Sequence, residues 1–399
     1  MSKDIYESLG FKKAVEPVFS AKIIDEVKEI LNKIPVRFKI GFRPLIVEQA
    51  VFEEALAIST AEDSELTDEQ AKKIQISEEE EARIIKYKEN KQLTESEKYD
   101  QLEFENIKVT ENKIGGLSFQ EFSVEFICDL HHDLTIGLDD YTKAKGISHY
   151  NPGELRKSNS VKIGKVRQYL PPDYKQIKKL LELLFKDFSK RKKIELRDIL
   201  EFHILLYAIH PFQNGNKRVA RILESMLLRH YGYDADHTIS LSIYYIDKKD
   251  ACNFFLMESI IKKDPNPFIN FAIRGYFYAG HKLLNTYLKL ILRGIDQNFN
   301  RYIELHIKPI HINNYKKAVK SIIKLNGVFT HTEFMKKMKE YNCTVGVSQT
   351  IIKDLLKRKR LHKKGKIYYV EDFLGSCLDI KNLIGEMTDI MLRYNIDLI

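Results

Sequence analysis

Residues 210–221 read His210-Pro-Phe-Gln-Asn-Gly-Asn-Lys-Arg-Val-Ala-Arg221, and several of these side chains could act together. Gly215 lies in a loop that runs into a helix starting near Asn216. Backbone N–H groups at such a terminus are unpaired and sit at the positive end of the helix dipole, so an anion is favoured there. Arg218 and Arg221 lie three residues apart, on one side of that helix and off its apolar face of Val219, Ile222, Leu223, Met226 and Leu227. Two guanidinium forks beside an anion site suit a di- or triphosphate better than a single carboxylate. His210, one short loop away, could accept a proton from an incoming hydroxyl. Phe212 would bury beneath the loop and fix it. Each residue alone also fits a plain helix–loop–helix with a capping histidine and two surface arginines. The joint spacing argues against that.

The elements that must position these residues are mostly helices. The stretch Leu196 to Ile209 carries a wide apolar face and stops at His210-Pro211, because proline disfavours helix in the residue before it. The helix from Asn216 ends at Gly232. Upstream, Pro17, Pro35 and Pro44 punctuate residues 1–60, with an apolar helical face over Val51, Phe52, Ala55 and Leu56. Residues 61–105 begin acidic and apolar-poor, and Ser77 followed by Glu78 to Glu81 resembles a capped helix start. Gly115-Gly116 breaks the chain, and Ser118 with Glu121 forms a capping-box pattern before a helix over Phe122 to Leu134. The glycines and prolines of 137–172 exclude long helices, and Ser160 to Tyr169 alternates as a short β-hairpin would. A helix spans Leu180 to Phe188. Residues 240–297 read as two or three further helices, one opening near Asp247 and one after Pro267.

Composition narrows the class. The chain has 399 residues, 44% hydrophobic and 30% charged, which is globular and long enough for two or three domains. No apolar run reaches the roughly 18 residues of a membrane span. The N-terminus lacks a signal-peptide core, so a cytoplasmic location is expected. Cys128, Cys252, Cys343 and Cys377 show no CxxC spacing, which points to free thiols and away from a zinc site. His131-His132 could suggest a metal, but adjacent histidines on a helix point apart, and a core helix explains them better. The net charge is +9, yet residues 301–370 hold 17 Lys and Arg against 4 Asp and Glu, a local +13 that leaves −4 elsewhere. Such a segment implies its own partner.

Residues 210–221 resemble the signature of the Fic family, His-x-Phe-x-(Asp/Glu)-Gly-Asn-(Gly/Lys)-Arg-x-x-Arg. The resemblance extends over about residues 45–290: Leu130-His-His-Asp-Leu134 with Gly137-Leu138, Pro152-Gly-Glu-Leu-Arg156, Val161-Lys-Ile-Gly164 and Pro171-Pro172 precede the signature in the family's order, and Asp247 through Phe255 and Asp264 through Phe271 follow it. It implies a mainly α fold, a Fic-type helical core with a β-hairpin flap, and transfer of AMP from ATP to a Ser, Thr or Tyr hydroxyl of a target protein, which could be the chain itself. On that reading His210 is the base that deprotonates the hydroxyl. Asn216 and the N–H groups around Gly215 and Lys217 hold the α/β-phosphates, Arg218 and Arg221 neutralise the leaving pyrophosphate, and Mg²⁺ bridges phosphates. The flap residues Val161, Lys162, Ile163 and Gly164 align the target by strand addition. Phe254-Phe255 falls where the family often has tyrosines near the adenine; core packing is the alternative. Two positions depart from the commonest pattern. Asn214 replaces the acidic metal ligand with an uncharged amide, a weaker ligand for a hard cation. Lys217 resembles the Asn-Lys-Arg of the Doc-type branch, whose members phosphorylate their targets, but that branch lacks the final arginine, which this chain keeps as Arg221. AMP transfer is therefore favoured.

Many Fic proteins carry an inhibitory helix with the pattern (Ser/Thr)-x-x-x-Glu-(Gly/Asn). Ile58 to Thr67 aligns Glu62 with its glutamate and Leu66-Thr67 with a trailing Leu-Thr, while Asp63 replaces the Gly/Asn. The resemblance implies that Glu62 pairs with Arg221 and blocks ATP; an ordinary acidic helix end is the alternative.

Residues 312–370 form a basic unit: helix Tyr315 to Leu325, helix Thr332 to Tyr341, a helix capped by Ser348 running to Leu356, then two strands about Gly365 within Leu361 to Val370. Three helices and a β-wing are the order of a winged helix-turn-helix. Lys353, Lys357, Arg358, Lys359, Arg360, Lys363, Lys364 and Lys366 cluster where DNA phosphates would lie, and Ser348, Gln349 and Thr350 could reach base edges. A solvated basic surface for a protein partner is the alternative, since charge alone is non-specific. The expected division is 1–110, an N-terminal helical region; 111–300, the catalytic core; and 301–399, the winged-helix-like domain with a C-terminal helix. A catalytically weak scaffold acting as a nucleotide-sensing DNA-binding regulator is the competing reading, Asn214 favouring it. Homo-oligomerisation stays open.

Overall fold

Apolar residues recur at helical spacing along most of the chain, and helices form accordingly. The computed structural model describes residues 4–15, 19, 21–61, 64–113, 115–164, 167–234, 236, 238–370 and 376–396. In chain order the first helices are α1 (Ile5–Leu9), α2 (Ala21–Asn32), α3 (Val36–Ala61), α4 (Asp68–Lys73), α5 (Glu80–Glu89) and α6 (Glu95–Lys113). They are followed by α7 (Val124–Thr135), α8 (Thr142–Lys145), α9 (Ile177–Ser189), α10 (Leu196–Ile209), α11 (Asn216–His230), α12 (Leu241–Asp247), α13 (Lys249–Lys262) and α14 (Asn266–His306). The last part runs α15 (Pro309–Lys324), β1 (Val328–Thr330), α16 (His331–Glu340), α17 (Val345–Lys357), β2 (His362–Lys364), β3 (Ile367–Tyr369) and α18 (Cys377–Arg393). The fold is mainly α, as expected.

The chain divides into two units, residues 1–24 with 47–279 and residues 25–46 with 280–399. The expected edge near 110 falls inside the first unit, and the edge at 300 falls within α14. In the first unit α10 is its central helix: every residue from Asp198 to Ile209 is buried. A helix apolar all round belongs in a core, and its polar exceptions are paired. Arg191 forms ion pairs with Asp198 and with Glu201, the latter at 3.0 Å. Against α10 pack α9, α11 and α13. The N-terminal segment is held on the same face, the Ile5 amide donating to Asp187 (2.8 Å) and the Ala14 amide to Glu201 (2.7 Å).

Helix α6 turns four of its acidic side chains inward: Asp100, Glu103, Glu105 and Glu111 are buried. Each has a cation or donor. Lys86 and the Tyr87 hydroxyl meet Glu105 at 2.7 and 2.8 Å, Lys145 meets Asp100 at 2.8 Å, and Arg229 meets Glu111. Burying carboxylates is tolerable only with such partners.

Several local readings are corrected. Pro44 lies inside α3 and does not end a helix. Ser77 is not a cap; its amide bonds to Glu105, and α5 starts later, at Glu80, after the uncapped Glu79. The Ser118–Glu121 capping box exists but closes a single 3₁₀ turn, Phe119–Glu121, and Ser123 caps α7. The expected hairpin shows, among the described residues, the antiparallel bridge of Ile163 with Tyr169; residues 165 and 166 lie outside the described residues. Helices α10, α11 and the end at Gly232 (φ 73°) are as read from the sequence.

In the second unit, β1, β3 and β2 form an antiparallel sheet in that order, with Val328 opposite Tyr369 and His362 opposite Tyr369 on the other side. Phe329, Phe334 and Tyr368 stack in its core, with ring centroids 5.2 and 5.9 Å apart. The expected order of three helices and a two-stranded turn is present, with β1 as an unforeseen third strand. Thr344, and not Ser348, caps α17. Ser348 is buried and donates to the Thr344 carbonyl at 2.9 Å.

Candidate active site

The loop 210–215 joins the two best-packed helices of the first unit. His210 is the C-cap of α10 and takes φ 52°, a left-handed conformation unusual for a residue with a Cβ. Backbone strain of this kind persists where surroundings hold it, and Arg156 supplies the hold. Its Nε donates to the His210 carbonyl (2.8 Å), its amide to the Pro211 carbonyl (2.9 Å), and its other guanidinium nitrogens to the Ser158 and Pro172 carbonyls. The His210 Nδ1 is buried without a hydrogen-bond partner. Burial lowers the imidazole pKa to about 3, with the charges of Arg156 and Lys217 acting in the same sense and the Tyr207 carbonyl against it.

Beyond His210, the loop is zipped by its own side chains. Asn216 accepts from the Phe212 amide through Oδ1 (2.9 Å) and donates to the Phe212 carbonyl through Nδ2 (2.9 Å). Its amide therefore braces the loop. Phe212 is fully buried as expected and stacks on His131, centroids 3.9 Å apart and planes 3° from parallel. Gly215 takes φ 77° at the N-cap of α11, and a Cβ there would stand 3.2 Å from His131 Nε2. Only glycine meets both conditions.

His131 was dismissed as ordinary core, yet it clamps the loop. Its Nδ1 accepts from the Gly153 amide (3.1 Å), so Nε2 carries the proton and donates to the Asn214 carbonyl (3.1 Å). Burial lowers its pKa to about 3, with the Asn214 carbonyl opposing and Arg218 reinforcing. Protonation would turn Nδ1 into a donor facing another donor. Both His131 and His210 thus fold as neutral imidazoles with depressed pKa values. Their stabilisation is complete above the unfolded histidine pKa near 6.5 and is lost as pH falls toward about 3. Thermal melts are expected to hold constant above pH 7 and drop on acidification, with about 2 kcal/mol lost per imidazole at pH 5. A melting temperature unchanged from pH 7.5 to 5 contradicts the assignment.

The two arginines have separate environments. Arg218 is fully buried in a cage: it forms an ion pair with Glu103 of α6 and donates to the hydroxyls of Tyr99 (3.0 Å) and Tyr150 (2.9 Å). Glu103 also accepts from Ser59 of α3 at 2.6 Å and from Tyr99 at 3.2 Å. Its guanidinium is turned toward Glu103 and the two tyrosines. Arg221 is buried too, but its Nη1 has no hydrogen-bond partner. It lies over the Tyr245 ring at 5.5 Å. That ring is anchored by its hydroxyl, which donates to Glu224 (3.1 Å), and Glu224 in turn bonds His203 Nδ1 at 2.6 Å. A desolvated guanidinium braced by a ring face and short of an acceptor is ready for an anion.

Asn214 turns its Nδ2 toward the Ser148 backbone carbonyl, with the Ser148 hydroxyl at 3.1 Å. Lys217 is half-buried with its ammonium 3.3 Å from Asn253 Oδ1. Phe254 is 56% exposed. On the flap, Ile163 is buried, Lys162 is exposed and Val161 is half-buried. Gly164 has φ 90°, and a Cβ there would lie 2.2 Å from the Arg167 carbonyl. Glu62 and Asp63 lie outside the described residues. His131, Arg156, Glu103 and the His203–Glu224–Tyr245 chain were missed as site residues. The flanking motifs containing His131 and Arg156 were their available signal; Glu103 had none.

Residues 121–228 match the family model described as Fic/DOC family. The segment is a Fic/DOC family domain. Such domains generally transfer AMP or other nucleotide groups to proteins, and bind nucleotide with a metal. The chain resembles the crystal structure of a Fic family protein from Desulfovibrio desulfuricans G20 at 15% identity and TM-score 0.54, over 90% of this chain and 98% of that one, a likeness of fold. A Fic domain containing signaling protein from Bacteroides thetaiotaomicron VPI-5482 is also similar, at 16% identity and TM-score 0.42, over 65% of this chain and 96% of that one. No curated protein matches the chain. No helix among the described residues is long and apolar enough to cross a membrane.

Proposed function

We propose that the Fic domain transfers AMP from ATP to a Ser, Thr or Tyr hydroxyl of a protein. The observation that carries this is the buried Arg221 guanidinium with an unpartnered Nη1 on the helix that Gly215 opens. A triphosphate tail supplies the missing acceptor, and the N–H groups at the start of α11 add to it. The target oxygen attacks the α-phosphorus while its proton passes to His210. The bond to the β-phosphate breaks, and pyrophosphate leaves against Arg221. Burial keeps His210 neutral at pH 7, the form a base requires, and an arriving polyanion stabilises the imidazolium that forms. Residues 161–164 would carry the target segment by strand addition.

Mg²⁺ would meet a weak donor in this site. At the family's acidic position Asn214 offers an uncharged amide oxygen, its nitrogen donating to Ser148; Asn214 would hold the ion weakly, and the ion would there neutralise phosphate charge. Autoinhibition through Glu62 belongs to the reading as well. The enclosed Arg218 and the amide at 214 favour a second reading, a weakly catalytic scaffold that senses nucleotide.

Parallel incubations with α-labelled and γ-labelled ATP separate these readings. Protein label from the α position alone is expected, and more of it in Glu62→Gly. Label from γ alone would mean phosphorylation, and label from neither in either protein would leave the scaffold.

A further inference from the structure

We propose that the exposed face of α17 and the β2–β3 turn together bind duplex DNA, an inference that does not depend on the transfer reading. Helix α17 buries Ile351, Ile352 and Leu355 in the core of the second unit. The opposite side exposes Gln349, Thr350, Lys353 and Lys357, which recur at helical spacing. At 13 residues the helix is about 20 Å long, and its diameter suits a major groove about 12 Å wide.

The charge on this face is one-signed. The single carboxylate of α17, Asp354, is drawn away from it: the Tyr315 hydroxyl donates to one oxygen at 2.7 Å and Arg358 Nε to the other at 2.8 Å. Arg358 and Arg360 lie over the Tyr302 ring, at 5.8 and 5.0 Å, so they are not counted as DNA contacts. The chain then passes through buried Leu361 into a turn made possible by Gly365 (φ 59°), where Lys363, Lys364 and Lys366 are exposed. The turn follows the helix in the chain, so these lysines are placed for phosphates flanking the groove that α17 would enter. Within the groove, the exposed Gln349 amide could pair with an adenine edge. Thr350 bonds its hydroxyl to the Gly346 carbonyl (2.9 Å), leaving its methyl for a thymine methyl. Ser348, buried, takes no part.

Lys363 lies over the Tyr368 ring at 5.2 Å and is set aside like the two arginines; the four remaining lysines on phosphates imply a slope of log K against log salt of about −3.6, and so a roughly hundredfold weaker affinity at 200 than at 50 mM salt. The test is fluorescence anisotropy of the full chain with a labelled mixed-sequence 20-base-pair duplex. Binding at 50 mM NaCl with that slope is expected. Lys353→Glu/Lys357→Glu should weaken it at least tenfold and flatten the slope by about 2. Lys320→Glu, an exposed charge change on α15, should stay within twofold. If the paired variant melts early, Lys363→Gln/Lys364→Gln/Lys366→Gln replaces it with the same expected direction. The proposal is overturned by absence of binding at 50 mM, by binding indifferent to salt, by equal weakening from Lys320→Glu, or by an RNA hairpin competing better than unlabelled duplex.

Discussion

His210→Ala is expected to lower AMP transfer by about 10²- to 10⁴-fold, the range of a positioned base. Nucleotide affinity should change less than twofold, because the proposed anion site draws on Arg221 and the start of α11. The fold should survive. The Phe212 ring stays clamped by His131, and Arg156 binds the backbone carbonyl of residue 210, which alanine retains. Single-turnover kinetics with α-labelled ATP, together with nucleotide titration and a thermal melt, separate the outcomes. Transfer at wild-type rate removes His210 from the chemistry. Parallel loss of nucleotide binding shows that it acts on the loop instead.

The second large effect concerns stability. Glu103→Leu removes the carboxylate that pairs with the buried Arg218 guanidinium. Breaking a buried ion pair from one side costs about 3–5 kcal/mol. A melting temperature roughly 6–20 °C lower is expected for a unit of this size. Arg218→Met strands Glu103 in the same way, although Ser59 and Tyr99 continue to donate to it. The double variant Glu103→Leu/Arg218→Met removes both charges and should lie nearer to wild type than either single variant. Denaturant midpoints of the four proteins measure this coupling; losses that simply add would mean that the pair does not interact. Since Ser59 belongs to α3, the cage also links that helix to the helix bearing the candidate site.

Much of the site was legible because it depends on neighbours in the chain. The His210-Pro211 stop, the helix from Asn216 and the glycine at 215 follow from proline sterics, apolar periodicity and backbone freedom, all local effects. The basic α17 and its turn are equally local. Legibility failed where a side chain's role depends on what reaches it from elsewhere. Pro44 sits inside a helix that the sequence reading ended. The capping box at Ser118 found its partners but closed only one 3₁₀ turn.

Residues 61–105 show the same limit most clearly. Acidic side chains in a helix read as solvated, because an isolated carboxylate is stable only in water. Their burial in α6 rests on Lys86, Lys145, Arg218 and Arg229, the farthest more than a hundred residues away. By itself, then, the amino-acid order determined helices α10 and α11, the glycine loop between them and where the positive charge concentrates. Only the tertiary structure decided which charges are spent inside. Arg218 and Arg221 are one helical turn apart and chemically alike. One is paired with a carboxylate brought in from α6, while the other rests on the Tyr245 ring. Coulombic pairing and desolvation depend on distance in space, and sequence spacing carries none of that information.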